Sequence, residues 1–316
     1  MSHESPALSA VPSPTSAPSP SGPPSFGLSL LRALRPRQWT KNAAVLAPLL
    51  FAKAVDEPAR VLLAVLAVGA FCFLASAVYV LNDWRDREAD RLHPEKKKRP
   101  IAAGHLGLSA AASLVLGCGA AGAGLAMWVG KDFALVAAGY VGLQLLYSFL
   151  LKRFVILDVM LIATGFVLRV IGGGVAIDVP VSNWLFLCTL LLAVFLGFAK
   201  RRHEVASLAG DAAAHRANLT EYSLPLLDQM MSAVAAACIL AYGLYSVAPD
   251  TMAHVGSDKL KYSVPFVIYG IFRYLFLVHR RGAGGSPERV LLSDVPLIVD
   301  LALFVGVAGW ALYAGG

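Results

Sequence analysis

Apolar residues in this chain recur in blocks of about twenty, roughly the length a helix needs to cross ~30 Å of hydrocarbon at ~1.5 Å per residue. Nine such blocks have cores over residues 43 to 55, 60 to 81, 108 to 129, 132 to 150, 155 to 177, 183 to 199, 226 to 248, 262 to 279 and 295 to 314, the first being the shortest. Hydrocarbon offers no partner to a bare N–H or C=O, so segments of this kind fold as helices. The expected fold is all-α, a polytopic membrane helix bundle of about nine transmembrane helices. Composition agrees: 15% of the 316 residues are charged, against about 25% in a soluble chain, and the mean hydropathy is +0.65.

Lys and Arg in short loops are retained on the cytoplasmic side. An inside N-terminus puts most of the 27 basic residues in the cytosol, including Arg32 to Lys41, Arg85 to Arg99, Lys152/Arg153, Lys200 to Arg202, and Arg280/Arg281/Arg289. The opposite face keeps Lys53, Arg60, Lys131, Lys259 and Lys261. This distribution predicts a multi-pass protein of the cell membrane with a cytosolic N-terminus and a cytosolic site. The net charge of +7 describes one membrane face and gives no reason to invoke nucleic acid.

Residues 1 to 29 are rich in Pro and Ser and poor in apolar side chains. They cannot bury enough surface to offset the entropy of ordering, so a disordered cytosolic tail is expected there. Residues 30 to 316 then form a single membrane domain. The tail lacks the basic start and apolar stretch of a signal peptide. Cys72, Cys118, Cys188 and Cys238 fall singly in four blocks without metal-site spacing, as expected of buried small hydrophobes.

The segment Leu81-Asn-Asp-Trp-Arg-Asp-Arg-Glu-Ala-Asp90 leaves the second block. On one helix, Asp83, Asp86 and Asp90 fall within an arc of about 60°, which predicts three carboxylates in one site. Hard oxygen ligands of this kind suit Mg²⁺, which takes one or two carboxylates together with substrate phosphates and several waters. Asn82 adds a neutral oxygen. His93-Pro-Glu-Lys-Lys-Lys-Arg-Pro100 follows with four cations in a row. A metal on one side of a phosphate and Lys96 and Arg99 on the other form a phosphate clamp.

Lys41, Lys152, Lys200, Arg201 and Arg202 lie at other cytosolic block ends and are candidate phosphate-binding groups if those ends surround one cavity. Ionisable residues inside a membrane usually face a cavity or a partner. Asp158 and Arg169 share a helical face and are expected to line a common cavity, while Gly172-Gly-Gly174 is expected to weaken or break that helix. Arg273 and Asp300, in the last two blocks, are candidates for a structural ion pair.

The pattern Asn82-Asp-x-x-Asp86-x-x-x-Asp90, followed by His93-Pro-x-Lys96-x-x-Arg99-Pro, resembles the UbiA-type prenyltransferase superfamily. Leu34-Arg-Pro-Arg-Gln-Trp-Thr-Lys-Asn42, Gly165-Phe-Val-Leu-Arg-Val-Ile-Gly-Gly-Gly174, Val179-Pro-Val-Ser-Asn-Trp184 and Phe198-Ala-Lys-Arg-Arg-His-Glu204 resemble its decaprenyl-phosphate phosphoribosyltransferase branch. Most of the superfamily carries a second Asp-rich motif after the sixth helix. Here that position reads Lys200-Arg-Arg-His-Glu204, so extra cations replace acids.

The resemblance implies a Mg²⁺-dependent transfer of 5-phosphoribosyl from phosphoribosyl diphosphate to a polyprenyl phosphate held by its tail in membrane lipid. It places the metal on Asn82, Asp83, Asp86 and Asp90, catalytic charge stabilisation on Asp83, Asp86, Asp90 and Arg99, and substrate phosphates near Lys41, Lys96, Lys152, Lys200, Arg201 and Arg202, with Asp158 orienting a cation or a ribose hydroxyl. It also implies self-association as a homo-oligomer. Two rivals are a prenyltransferase acting on an aromatic or quinone precursor, which shares the first Asp motif, and a transporter using the intramembrane charges as a relay.

Overall fold

The computed structural model describes residues 25–93, 96–207, 219, 221–285 and 287–313. The expected tail therefore lies outside the described residues up to 24, and its last four residues open a helix, α1 (Phe26–Leu34), capped by Ser25. The architecture is all-helical. Among the described residues, eight helices are long and apolar enough to cross a membrane. The membrane helices preceding residue 210 are α3 (Pro58–Arg85), α5 (Leu108–Val129), α6 (Lys131–Phe149), α7 (Leu157–Ala176) and α8 (Asn183–Ser207), with the short α2 (Ala47–Phe51) and α4 (Arg87–Leu92) between them. After it come α9 (Leu224–Val247), α10 (Pro249–Val255), α11 (Val264–Arg281), α12 (Pro287–Ser293) and α13 (Val295–Tyr313).

The first apolar block differs from the expectation. Instead of a long α-helix, a 3-10 helix over Pro36–Leu46 runs into α2. It still traverses the bundle. Arg35 at its start meets Asp83 at one end, while Lys53 Nζ donates to Val255 O (2.8 Å) at the other. A 3-10 helix rises ~2.0 Å per residue, so these few residues cover about 30 Å, which fewer than twenty α-helical residues would not.

Gly172-Gly-Gly174 explains how this extended segment is accommodated. Helix α7 runs through all three glycines to Ala176, contrary to the expected break. A Cβ on Gly173 would sit 2.0 Å from Val45 O, one on Gly174 2.7 Å from Val179 O, and one on Gly172 2.9 Å from Phe71. The glycines are a backbone-approach surface, the use small residues find between membrane helices.

Two cores result. Val45, Leu49, Ala67, Phe71, Phe133 and Tyr140 pack one half; Val159, Phe195, Leu227, Met231, Tyr274 and Leu277 pack the other, and α7 contributes to both. The exterior is apolar, with Trp128, Leu135 and Leu240 at 73%, 71% and 63% exposure. An apolar coat of this kind suits lipid as the surrounding solvent. Three of the four free cysteines are buried, as expected.

Candidate active site

The acidic segment does not stay on one helical face. Helix α3 ends at Arg85, Asp86 adopts φ −87° and ψ 7°, and α4 starts at Arg87. This offset splits the three carboxylates. Asp83 and Asp90 are enclosed, with side chains 4% exposed, whereas Asp86 stays 39% exposed.

The basic loop folds back over them. Arg99 Nη1 donates to Asp83 Oδ1 at 2.9 Å and to Asp90 Oδ2 at 2.6 Å. Arg35 Nη2 adds a third bond, to Asp83 Oδ1 at 2.5 Å, and stacks its guanidinium 5.3 Å from the Tyr79 ring. Arg35 is left-handed, with φ 54°, an uncommon conformation for a side-chain-bearing residue, and it precedes Pro36, which disfavours the right-handed helical region. That kink separates α1 from the first crossing and turns the arginine toward the carboxylate.

Arg35, Tyr79, Asp83 and Arg99 line a cavity of about 430 Å³ together with Asn82, Asp86, His93, Lys96, Tyr147, Ser148, Lys152, Lys200 and Glu204. Lys152 Nζ lies 3.7 Å from Asp86 Oδ2. Asn82 Nδ2 donates to Ser148 Oγ at 3.1 Å, leaving its carbonyl oxygen as an acceptor. The cavity thus gathers residues from the ends of α3, α6 and α8 and from the loop before α5. Lys152 and Lys200, from two block ends, converge on it with Lys96 from the basic loop.

Other anticipated residues are elsewhere. Lys41 does not line this cavity and bonds Gln38 Oε1 at 2.5 Å. Asp90 lies behind Arg99. Arg201, fully buried, pairs with Asp158 at 3.2 Å and with Glu204; Arg202 pairs with Asp228. Neither Arg201 nor Arg202 lines the cavity, and the neighbouring acids offset much of the cost of burying their charges. Asp158 and Arg169 have separate partners among the described residues. Tyr222 donates to Asp158 Oδ1 at 3.0 Å, and burial pushes the Tyr222 phenol above its ordinary pKa. Arg169 instead donates to Asn42 Oδ1, Gly165 O and Tyr140 OH at 2.7 to 2.8 Å, tying the first crossing to α6 and α7.

Sequence reasoning gave no site role to Arg35, Tyr79, Tyr147, Ser148 or Glu204. Arg35 was legible as one of several basic residues before the first block and as part of the quoted stretch Leu34 to Asn42, without a role of its own. Glu204 lay in a quoted motif, one helical turn beyond Lys200, a spacing that puts both on one face.

A family model described as the UbiA prenyltransferase family matches residues 43–293. The chain belongs to the UbiA prenyltransferase family. It is 36% identical to a decaprenyl-phosphate phosphoribosyltransferase of Mycolicibacterium smegmatis, covering 92% of this chain and 95% of the relative. It is 35% identical to the protein of the same name in Corynebacterium glutamicum, covering 92% and 89%. The fold is that of a UbiA homolog from Archaeoglobus fulgidus bound to GPP and Mg²⁺, with a TM-score of 0.69 at 19% identity over 90% of this chain and 99% of that one.

The donors of this UbiA cavity fit a hard divalent cation. Both arginines on Asp83 use Oδ1, which leaves Oδ2 without an arginine; Asp86 is partly open, and Asn82 offers a carbonyl. Two carboxylates and one neutral oxygen suit Mg²⁺, which fills its remaining positions with water and substrate phosphate. Among the described residues, no group of three or more His, Cys, Asp and Glu is placed to hold a metal ion, and water and substrate oxygens would complete the shell.

Proposed function

We propose that this UbiA-family enzyme transfers a 5-phosphoribosyl group from phosphoribosyl diphosphate to a polyprenyl phosphate, releasing diphosphate. The charge of the cavity carries the reading: five cationic side chains (Arg35, Lys96, Arg99, Lys152, Lys200) line it against three carboxylates. A donor with a diphosphate and a 5-phosphate, meeting an acceptor with a phosphate of its own, calls for more cations than a metal pair between acids. The relatives named as decaprenyl-phosphate phosphoribosyltransferases support the same donor and acceptor.

In this reaction an oxygen of the lipid phosphate attacks the anomeric carbon of the donor, and the bond from that carbon to the diphosphate oxygen breaks. The nucleophile is anionic near neutral pH, since the second phosphate pKa is about 6, so no strong base is required. Asn82, Asp83 and Asp86 would hold Mg²⁺, which when bound supplies charge neutralisation on the diphosphate oxygens. Lys96 and Arg99 share that stabilisation of the leaving group. Lys152 and Lys200 take the 5-phosphate and the lipid phosphate. Asp90 fixes Arg99, and Arg201 with Asp158 fixes Glu204 at the cavity wall, where its carboxylate accepts from a ribose hydroxyl. The basic-residue distribution supports a cavity on the cytosolic side of the cell membrane, where a water-soluble donor enters directly while the acceptor tail stays in lipid.

The test uses purified full-length protein in detergent with Mg²⁺, radiolabelled phosphoribosyl diphosphate and a polyprenyl phosphate. Label moving to the lipid phase, and stopped by EDTA, is the expected outcome. No transfer, with turnover of a prenyl diphosphate and an aromatic acid instead, overturns the assignment of donor and acceptor.

A further inference from the structure

The last two membrane helices hold a second polar point, far from phosphate chemistry. Arg273 does not pair with Asp300, the partner its position suggested. Its guanidinium reaches Asp294 with bonds of 3.0 and 2.9 Å, because Asp294 sits at the start of α13, level with Arg273 on α11. Among the described residues no hydrogen bond or ion pair reaches Asp300. The other buried acids are partnered: Asp83 and Asp90 by Arg99, Asp158 by Arg201 and Asp294 by Arg273.

Asp300 is 8% exposed and lines a cavity of about 260 Å³ between α8, α9, α11 and α13, whose walls include Phe195, Cys238, Ile271 and Phe304. Gly270 makes room for the carboxylate, since a Cβ there would lie 2.9 Å from Asp300 Oδ2. Leu192 and Leu301, also lining the cavity, are 45% and 47% exposed, so it opens sideways onto the apolar exterior. It shares no lining residue with the cavity around Asp83.

A lone acid at membrane depth is costly and marks a site by default. We infer that this cavity is a lateral binding site for a lipid-soluble amine, whose ammonium pairs with Asp300 while its apolar body fills the space toward Leu192 and Leu301. Charge selects the head group. A phosphate-headed lipid sets like charges together, and an alcohol offers a hydrogen bond without a compensating charge.

The experiment treats the full-length protein, in phosphatidylcholine nanodiscs, with dicyclohexylcarbodiimide, a lipid-soluble carboxyl reagent, and quantifies labelling of the Asp300 peptide by mass spectrometry. Competitors at equal mole fraction are N,N-dimethyldodecylamine, dodecanol and dodecyl phosphate. Asp300 is labelled, and the amine lowers labelling about tenfold, the equivalent of ~1.4 kcal/mol, while dodecyl phosphate leaves it unchanged. In parallel, radiolabelled amine binds the wild type but falls to background on Asp300→Asn, with phosphoribosyl transfer retained. An unlabelled Asp300, equal protection by all three amphiphiles, or full amine binding by Asp300→Asn overturns the proposal.

Discussion

Asp83 and Asp158 are both nearly inaccessible carboxylates held by arginine, yet their surroundings differ in one respect. The arginines on Asp83 keep 27% and 29% of their side-chain surface exposed, and the cavity reaches both. Arg201 and Asp158 are both at 0%. A half-open pair can loosen its arginines onto incoming phosphate oxygens. A closed pair cannot, and its effect is to hold Glu204, Tyr222 and the end of α8 in register. The same residue types thus line an open cavity in one place and frame it in the other, depending on access to solvent.

Breaking the closed pair gives the largest effect. Arg201→Met strands the Asp158 charge, and removing one partner of a buried pair costs about 3 to 5 kcal/mol; a large drop in melting temperature checks it, and the added Asp158→Asn recovers much of the loss. An Arg201→Met protein with wild-type stability and a raised Michaelis constant would move that arginine into the substrate site. Next, Asp86→Asn should lower turnover by about 10²- to 10³-fold, the scale seen when one group stabilising transition-state charge is removed, with the melting temperature nearly unchanged. Normal turnover removes the proposed magnesium ligand.

Gly173→Ala probes the frame at the first crossing. Its Cβ meets backbone at Val45 rather than a side chain that can yield, so overpacking of about 1 to 3 kcal/mol follows, read as a lower melting temperature. The smallest effect is pH-dependent. The hydrogen bond from Arg273 holds the Asp294 carboxyl below its usual 3.8. A lowered native pKa stabilises the fold above the unfolded value and loses that contribution as pH falls through the native one. Below about pH 4 the wild type should therefore lose stability more steeply than Arg273→Gln, a contrast thermal melts from pH 5 to pH 2 would measure.

Much of the site was legible because its parts are close in sequence. Asn82, Asp83, Asp86, Lys96 and Arg99 span eighteen residues, and carboxylates beside a basic run imply phosphate and metal whatever the tertiary arrangement. Arg35 and Ser148 were not legible, since nothing local distinguishes a cavity-lining arginine from a membrane anchor, or a cavity-lining serine from any serine at a helix end. The Lys200-Arg-Arg-His-Glu204 motif was legible as charge but not as role. Helical rotation sends Lys200 and Glu204 to the cavity wall, while Arg201 turns into the bundle.

Apolar block length and the absence of bilayer partners for backbone groups determined an all-helical membrane bundle from sequence alone, and the clustering of acids and bases determined where its charged cavity lies. Tertiary structure decided the rest. It stretched the first crossing into a 3-10 helix against the glycines of α7, broke α3 at Asp86, and gave Arg273 to Asp294 rather than Asp300. Each of these depends on which side chain comes within bonding distance of another once the helices pack, and a distance of that kind has no counterpart along the chain.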